Sequence, residues 1–144
     1  MNHSPADIIR YLLVDLTQGS LPTSDTTWPI FADLEPDTPD SCITIYNTPG
    51  VDDGRAMVTG ELFGFYGIQV RVRSSVYQTG YLKALAVQTA LAEQVLQETE
   101  TIDSNTYYVN SISRIGDVLS LGREPKAGRS LFTVNAVVAV RQLT

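Results

Sequence analysis

Four carboxylate side chains that lie close together are the largest group in this sequence that could do chemistry. They are Asp33, Glu35, Asp37 and Asp40. Clustered carboxylates can bind calcium or act as a general acid and base. Their spacing matches no EF-hand loop, and the interleaved Pro36 and Pro39 indicate an exposed, irregular segment. We therefore interpret the four acids as part of a solvated loop that holds no metal ion and no catalytic pair.

The other common catalytic groups are scarce. His3 is the only histidine and Cys42 the only cysteine, so the sequence offers no nucleophile with a histidine base and no transition-metal site. The glycine patterns that bind dinucleotides or nucleotide phosphates do not occur. Cys42 lies in a strand-like segment, where we expect a small buried side chain without a disulfide. The sequence therefore predicts a protein that is not an enzyme and needs no cofactor.

Charge is distributed unequally along the chain. Residues 1–54 hold nine acidic residues and one basic residue, whereas residues 55–144 hold seven acidic and nine basic residues. Such a chain could dock its acidic part on the basic part of a neighbouring copy, or the acids could only solvate a loop. Because the formal net charge is −6, tight and unaided binding to DNA is not expected.

Two helical patterns are the clearest local signals. Ser4 is a good N-cap, and the apolar spacing after it predicts a helix over 5–18. A second pattern predicts a helix over 76–98, in which we expect Tyr77 and Tyr81 to face the core.

Alternation of apolar and polar residues predicts the strands. The strongest of them, 65–73, places Val70 and Val72 on one face and the cationic Arg71 and Arg73 on the other. The other predicted strands are 42–46, 107–115, 117–121 and 131–142. The pattern between residues 55 and 64 fits either a strand or a loop.

Proline and glycine indicate where these elements end. Pro49-Gly50 predicts a turn over 47–50, and Gly116-Asp117 predicts a hairpin turn between two short strands. An acidic, proline-rich loop at 19–41 and a flexible basic loop at 122–130 complete the chain.

The order of elements predicts one α+β domain over residues 1–144. We expect a mixed, mostly antiparallel β-sheet with two α-helices, about 5–18 and 76–98, packed on one face. No run of about 18 apolar residues and no signal peptide occur, so we expect no membrane segment and a protein made in a reducing cytoplasm.

Several phrases, taken in order, resemble one family. They are Trp28 to Phe31, Cys42 to Gly50, Phe65 to Ser74, Gly80 to Ala84, Leu121 to Glu124 and Leu131 to Asn135. Over about residues 5–142 the chain resembles the small minor capsid proteins of tailed bacteriophages, in the tail terminator or tail-completion group.

The resemblance implies a structural virion protein. Members of that family are small α/β proteins that form a homo-oligomeric ring, commonly a hexamer, at the head-proximal end of the tail. They cap the tail tube and join it to a neck or connector protein, and they have no catalytic residues. It follows that the chain would be assembled into virions in the host bacterial cytoplasm, with DNA passing through the ring without specific binding.

We predict the residues of the contact between neighbouring copies from the charge distribution, because the family motif does not supply them. We expect four acidic and four basic residues to lie on opposite sides of the contact between neighbouring copies. The two sets are Asp33, Glu35, Asp37 and Asp40, and Arg71, Arg73, Arg123 and Arg129. Three alternatives stay open at this point: a head-completion or portal-side adaptor, a small hydrolase that uses paired carboxylates, and a monomeric ligand-binding domain.

Overall fold

A computed structural model of the protein describes residues 1–22, 27–55, 62–94 and 99–143. These residues form two α-helices and a mixed sheet of six strands, so the α+β class is confirmed. The helices are α1 (Pro5–Asp15) and α2 (Tyr77–Thr89), the latter continued by a π-helical turn, Ala90–Gln94. The strands are β1 (Ile30–Ala32), β2 (Cys42–Arg55), β3 (Leu62–Ser74), β4 (Thr99–Ile102), β5 (Asn105–Arg123) and β6 (Ser130–Gln142).

The strands lie in the order β1-β2-β3-β6-β5-β4. All neighbouring strands are antiparallel except β1 and β2, which are parallel. Strands β3 and β6 form the centre of the sheet and pair along their length from Gly64–Val140 to Ser74–Ser130. The long strands β2 and β5 flank this centre, and the short strands β1 and β4 form the two edges of the sheet.

Helix α1 begins where the sequence predicts. The Ser4 hydroxyl accepts a hydrogen bond from the Asp7 backbone N–H at 3.2 Å, and Pro5 occupies the first turn. The helix ends at Asp15, three residues before the predicted end, and Thr17 after it has a left-handed φ of 60°. Its apolar side is fully buried in the core; this side consists of Ala6, Ile8, Ile9, Leu12 and Leu13.

The predicted alternation in 65–73 is confirmed within β3. Val70 and Val72 are fully buried in the core cluster, opposite Val134 and Phe132 of β6. Helix α1 contacts β1 to β4, and α2 contacts β3, β5 and β6. Apolar side chains of both helices belong to the same core cluster as Val70 and Val72.

Helix α2 begins one residue later than predicted. It spans Tyr77–Thr89 and continues as the π-helical turn to Gln94, and the predicted residues 95–98 lie outside the described part of the chain. At Gly80 a side chain would not fit, because a Cβ would come within 2.9 Å of the Phe132 ring and 3.0 Å of the Ser74 Cβ. This glycine therefore allows α2 to pack closely on the sheet.

Both predicted turns inside the long strands are wrong. Strand β2 continues through Pro49-Gly50 with a register shift between Thr48 and Val51. Strand β5 continues through Gly116, which has a left-handed φ of 70° beside a second register shift. The same residues that favour tight turns also favour β-bulges, in which a strand takes an extra residue without reversing.

Parts of the predicted loops, and of the segment 55–64 that fits either a strand or a loop, belong to β-strands. Strand β1 lies inside the predicted loop at 19–41, and β4 was not predicted at all. Residues 122–123 belong to β5, so the connection to β6 is only 124–129. In the undecided segment, β2 extends to Arg55 and β3 begins at Leu62, while 56–61 lie outside the described residues.

Candidate interaction surfaces

The sheet face opposite the core carries a buried arginine. Arg73 is only 2% exposed, although it lies on the cationic face of β3. Its Nε donates to the Asp40 carbonyl oxygen at 3.2 Å, and its Nη2 donates to the Pro39 carbonyl oxygen at 2.6 Å. Its Nη1 donates to Glu35 Oε1 at 3.3 Å. One guanidinium thus binds three points of residues 33–40, here called the acidic segment.

Glu35 lies between two arginines. Its second carboxylate oxygen is 3.1 Å from Arg71 Nε, and its side chain is only 12% exposed. A buried carboxylate is stable there because two guanidinium groups replace the water that it loses. Glu35 is therefore not part of a solvated loop, whereas the Asp37 side chain is 95% exposed.

Arg129 binds the acidic segment from a second direction. It is the last residue of the short connection between β5 and β6, and its Nη2 is 2.7 Å from Glu124 and 3.1 Å from Asp37. Its Nη1 is 3.3 Å from Asp40. The hydrogen bond with Glu124 is the main reason that the pKa of Arg129 is raised above its ordinary value. The acidic segment is thus bound both to the sheet and to the β5–β6 connection.

The structure brings together most of the charged residues that the sequence nominates. Those that meet within one chain are Glu35, Asp37, Asp40, Arg71, Arg73 and Arg129. Asp33 and Arg123 stand apart: both are exposed, and neither side chain forms an ion pair with a described residue. That these eight residues also contact a neighbouring copy stays a prediction.

The pairing of these charged residues indicates a structural role for them and not a catalytic one. Glu35 and Glu124, the two shielded carboxylates of the site, each bind arginines, so neither is an available base. Within the described ranges, no three His, Cys, Asp or Glu side chains are placed to hold a metal ion. Cys42 is buried, and this burial raises the pKa of its thiol above 9.0. None of the helices in the described part of the chain is long and apolar enough to cross a membrane.

A small cavity lies beside the end of α1. It has a volume of about 280 Å³ and is lined in part by Val14, Gln18, Trp28 and Lys83. The Lys83 ammonium is 5.5 Å from the centre of the Trp28 ring, and burial lowers the pKa of this lysine. Ligand sites usually measure about 300–1,000 Å³, so the cavity is below that range.

Helix α2 exposes large apolar side chains that sequence reasoning assigned to the core or overlooked. They are Val76, Tyr77, Tyr81, Leu82 and Leu85, here called the α2 patch. The rings of Tyr77 and Tyr81 touch Phe132 at centroid distances of 5.4 and 6.1 Å, yet Tyr77 remains half exposed. Lys83 is the only charged residue between 76 and 92. That scarcity of charge is the signal that could have revealed an exposed apolar face.

Strand β5 exposes a second apolar row. It consists of Ile115, Leu119 and Leu121, here called the β5 patch, and each of these side chains is about half exposed. Large exposed apolar patches on a folded domain indicate contact with other proteins. A small α+β domain with paired internal charges and two such patches defines a structural protein that acts by binding other proteins.

Comparison with known proteins agrees with this class. The family model described as bacteriophage tail terminator protein matches residues 12–141, so the chain belongs to the bacteriophage tail terminator family. The resemblance predicted from the sequence is confirmed. The chain is thus a structural component of a phage virion and associates with other phage structural proteins.

One solved structure shares the fold at low sequence identity. One chain is 14% identical with a TM-score of 0.53, covering 94% of this chain and 92% of that chain. A chain from the virion of a native gene transfer agent particle is 16% identical with a TM-score of 0.48, covering 77% of each chain. No curated protein matches the sequence.

Proposed function

We propose that this protein is a ring-forming tail terminator that caps the tail tube at the head–tail junction and joins it to the neck. The family match over residues 12–141 is the observation that carries the proposal. The ring is a homo-oligomer, a hexamer, in which each whole chain forms one domain with both helices on one face of its sheet. It is assembled in the host bacterial cytoplasm and binds the tail tube protein on one side and a neck or connector protein on the other.

The charged network supports a role as a rigid building block. Arg73 and Arg129 together bind the acidic segment at Glu35, Asp37 and Asp40, far from them in sequence. Fixing this segment before assembly lowers the ordering cost that each copy pays when it binds. In this proposal all eight nominated residues lie at the contact between neighbouring copies. Six of them also shape the protomer, and the other two, Asp33 and Arg123, are exposed.

The acidic character of the chain supports passage of DNA without specific binding. Affinity for phosphates comes from Lys and Arg, and the formal net charge here is −6. Among the described residues, five of the ten basic residues are already paired with acids of their own chain: Arg10, Arg71, Arg73, Arg114 and Arg129. A ring of such subunits lets a duplex slide, and the protein needs neither an enzymatic activity nor a cofactor to perform this role.

Light scattering on the purified protein tests the proposal. Mass is measured over a concentration series, alone and with purified tail tubes, and an unrelated acidic protein of similar size serves as the control. We expect rings in solution, or monomers that become rings on tube ends.

A parallel measurement with portal rings distinguishes the proposal from a portal-side adaptor. We expect binding to tubes and not to isolated portal rings. A strict monomer that ignores tubes would contradict the proposal, and binding to portal rings alone would replace it with the adaptor.

A further inference from the structure

The α2 patch is unusual for the surface of a helix. The buried side of α2 consists of Gly80, Ala84, Val87 and Gln88, and a helix on a protein surface normally carries charged residues on its other side. Here the other side carries Tyr77, Tyr81, Leu82 and Leu85 instead, each at least 38% exposed. A helix that carries large apolar side chains on its outer side, in addition to its buried side, fits an element that is covered on both sides.

The β5 patch lies on a strand that, over most of its length, pairs with a described strand on only one side. Strand β4 pairs with β5 only from Asn105 to Tyr108. From Val109 to Arg123, no described strand pairs with the outer side of β5. Unpaired strand edges are the usual templates for contact with another chain. The one charge inside the patch, Asp117, lies 3.8 Å from Arg114, so it has a partner of its own.

The two patches face opposite sides of the sheet. Tyr77 and Tyr81 contact Phe132, which points into the core. Ile115 and Leu119 lie opposite Asn135 and Thr133, the alternate residues of β6, which face the other side. A single flat partner therefore cannot cover both patches at once.

We propose that the α2 patch of one copy packs on the β5 patch of the next copy, head to tail around the ring. This inference rests on the proposed function, since it identifies the contact that builds the ring. Each chain carries both halves of the contact, so repeating it covers every patch, whereas contact of like patches in a dimer leaves the others exposed.

The apolar area on the two patches fits one interface of ordinary size. Five half-exposed side chains on α2 and three on β5 present roughly 700 Å² together. A standard interface buries about 1,600 Å², of which about 60% is apolar. The two patches therefore supply the larger part of the apolar area that such a contact needs, and both are free of unpaired charge.

Cysteine cross-linking tests this contact in the assembled ring. Leu82→Cys and Leu119→Cys place one thiol in each patch, and a short bifunctional thiol reagent joins those that lie close together. On tube ends, the chain with both substitutions is expected to give a ladder of products up to a closed ring. An equal mixture of the two singly substituted chains is expected to give dimers and nothing larger.

Matched controls keep the test specific. The native chain reports any reaction of Cys42, which is fully buried. Thr101→Cys, at an exposed position of β4, combined with Leu82→Cys is expected to give no ladder. Leu119→Asp is expected to reduce ring assembly at least tenfold while leaving the urea unfolding midpoint unchanged.

The possible outcomes distinguish failure of the proposed contact from failure of the proposed ring. Rings that form without a Leu82–Leu119 cross-link overturn the head-to-tail contact but leave the proposed function intact. Dimers from either singly substituted chain alone overturn it in favour of contact between like patches. A chain that forms no ring even on tubes contradicts the proposed function, and the contact falls with it.

Discussion

Replacing Arg73 with methionine removes the guanidinium that binds the acidic segment while keeping a side chain of similar length. The change deletes hydrogen bonds to Glu35, to the Pro39 carbonyl and to the Asp40 carbonyl. Both carbonyl groups can bind water when the segment lifts from the sheet, but Glu35 is only 12% exposed. The cost of Arg73→Met therefore arises mainly from this shielded carboxylate.

The expected loss follows from what remains next to Glu35. Removing one partner of a buried ion pair costs about 3–5 kcal/mol. Arg71 stays 3.1 Å from Glu35 in the variant, so the lower value, about 3 kcal/mol, applies. With a urea m-value of about 2 kcal/mol per M for a domain of this size, the unfolding midpoint should fall by about 1.5 M.

Urea unfolding followed by circular dichroism measures this shift. Arg123→Met is the matched control, since Arg123 is exposed and its loss should move the midpoint by no more than about 0.25 M. A double-mutant cycle with Glu35→Gln should give a coupling energy of about 1–2 kcal/mol. Equal midpoints for the two methionine variants, or a coupling energy near zero, would refute the claim that Arg73 holds the acidic segment.

Three further predictions use the same protein. Phe132 is fully buried beneath Tyr77 and Tyr81, so Phe132→Ala should lower the free energy of unfolding by about 4 kcal/mol in the same urea assay; a loss below 1 kcal/mol would contradict the packing of α2. Burial raises the pKa of the Cys42 thiol above 9.0, so a thiol reagent at pH 8 should modify the chain only in urea. Rapid modification of the folded protein at pH 8 would contradict the burial of this thiol. As pH rises above 9.0, the unfolded chain ionises the thiol before the folded chain does, so the free energy of unfolding should fall. Arg123→Glu should leave the unfolding midpoint unchanged but weaken ring assembly on tube ends, as measured by light scattering, and an unchanged ring mass would exclude Arg123 from the contact. Arg129 cannot be tested in this way, because reversing its charge would also break its bonds to Glu124 and Asp37.

Sequence patterns predicted the elements that are determined by helix capping and by the alternation of apolar and polar residues. The start of α1 follows from Ser4 and Pro5, and the core strand β3 follows from the alternation of Val70 and Arg71. Gly116 illustrates where such rules fail, because a left-handed glycine serves a hairpin turn and a bulge equally well. Only the continued pairing of β5 with β6 beyond this residue decides between the two.

The charged site depends on contacts that are distant in sequence. Arg129 and Asp37 are 92 residues apart, and they meet because β6 places Arg129 near the segment that follows β1. Composition showed that the first part of the chain is acidic and the second more basic, which is compatible with pairing within a chain or between chains. The position of the acidic segment over β3 shows that Arg71, Arg73 and Arg129 pair with acids of their own chain. Contact of the eight nominated residues with neighbouring copies remains a prediction.

The number of copies bound at each tube end tests the central claim most directly. Purified tubes are saturated with the fluorescently labelled protein, and single-molecule bleaching steps are counted at each bound spot. A ring-forming terminator predicts six copies at one end of each tube and none along its length. Binding spread along the tube, or a single copy at the end, would contradict it.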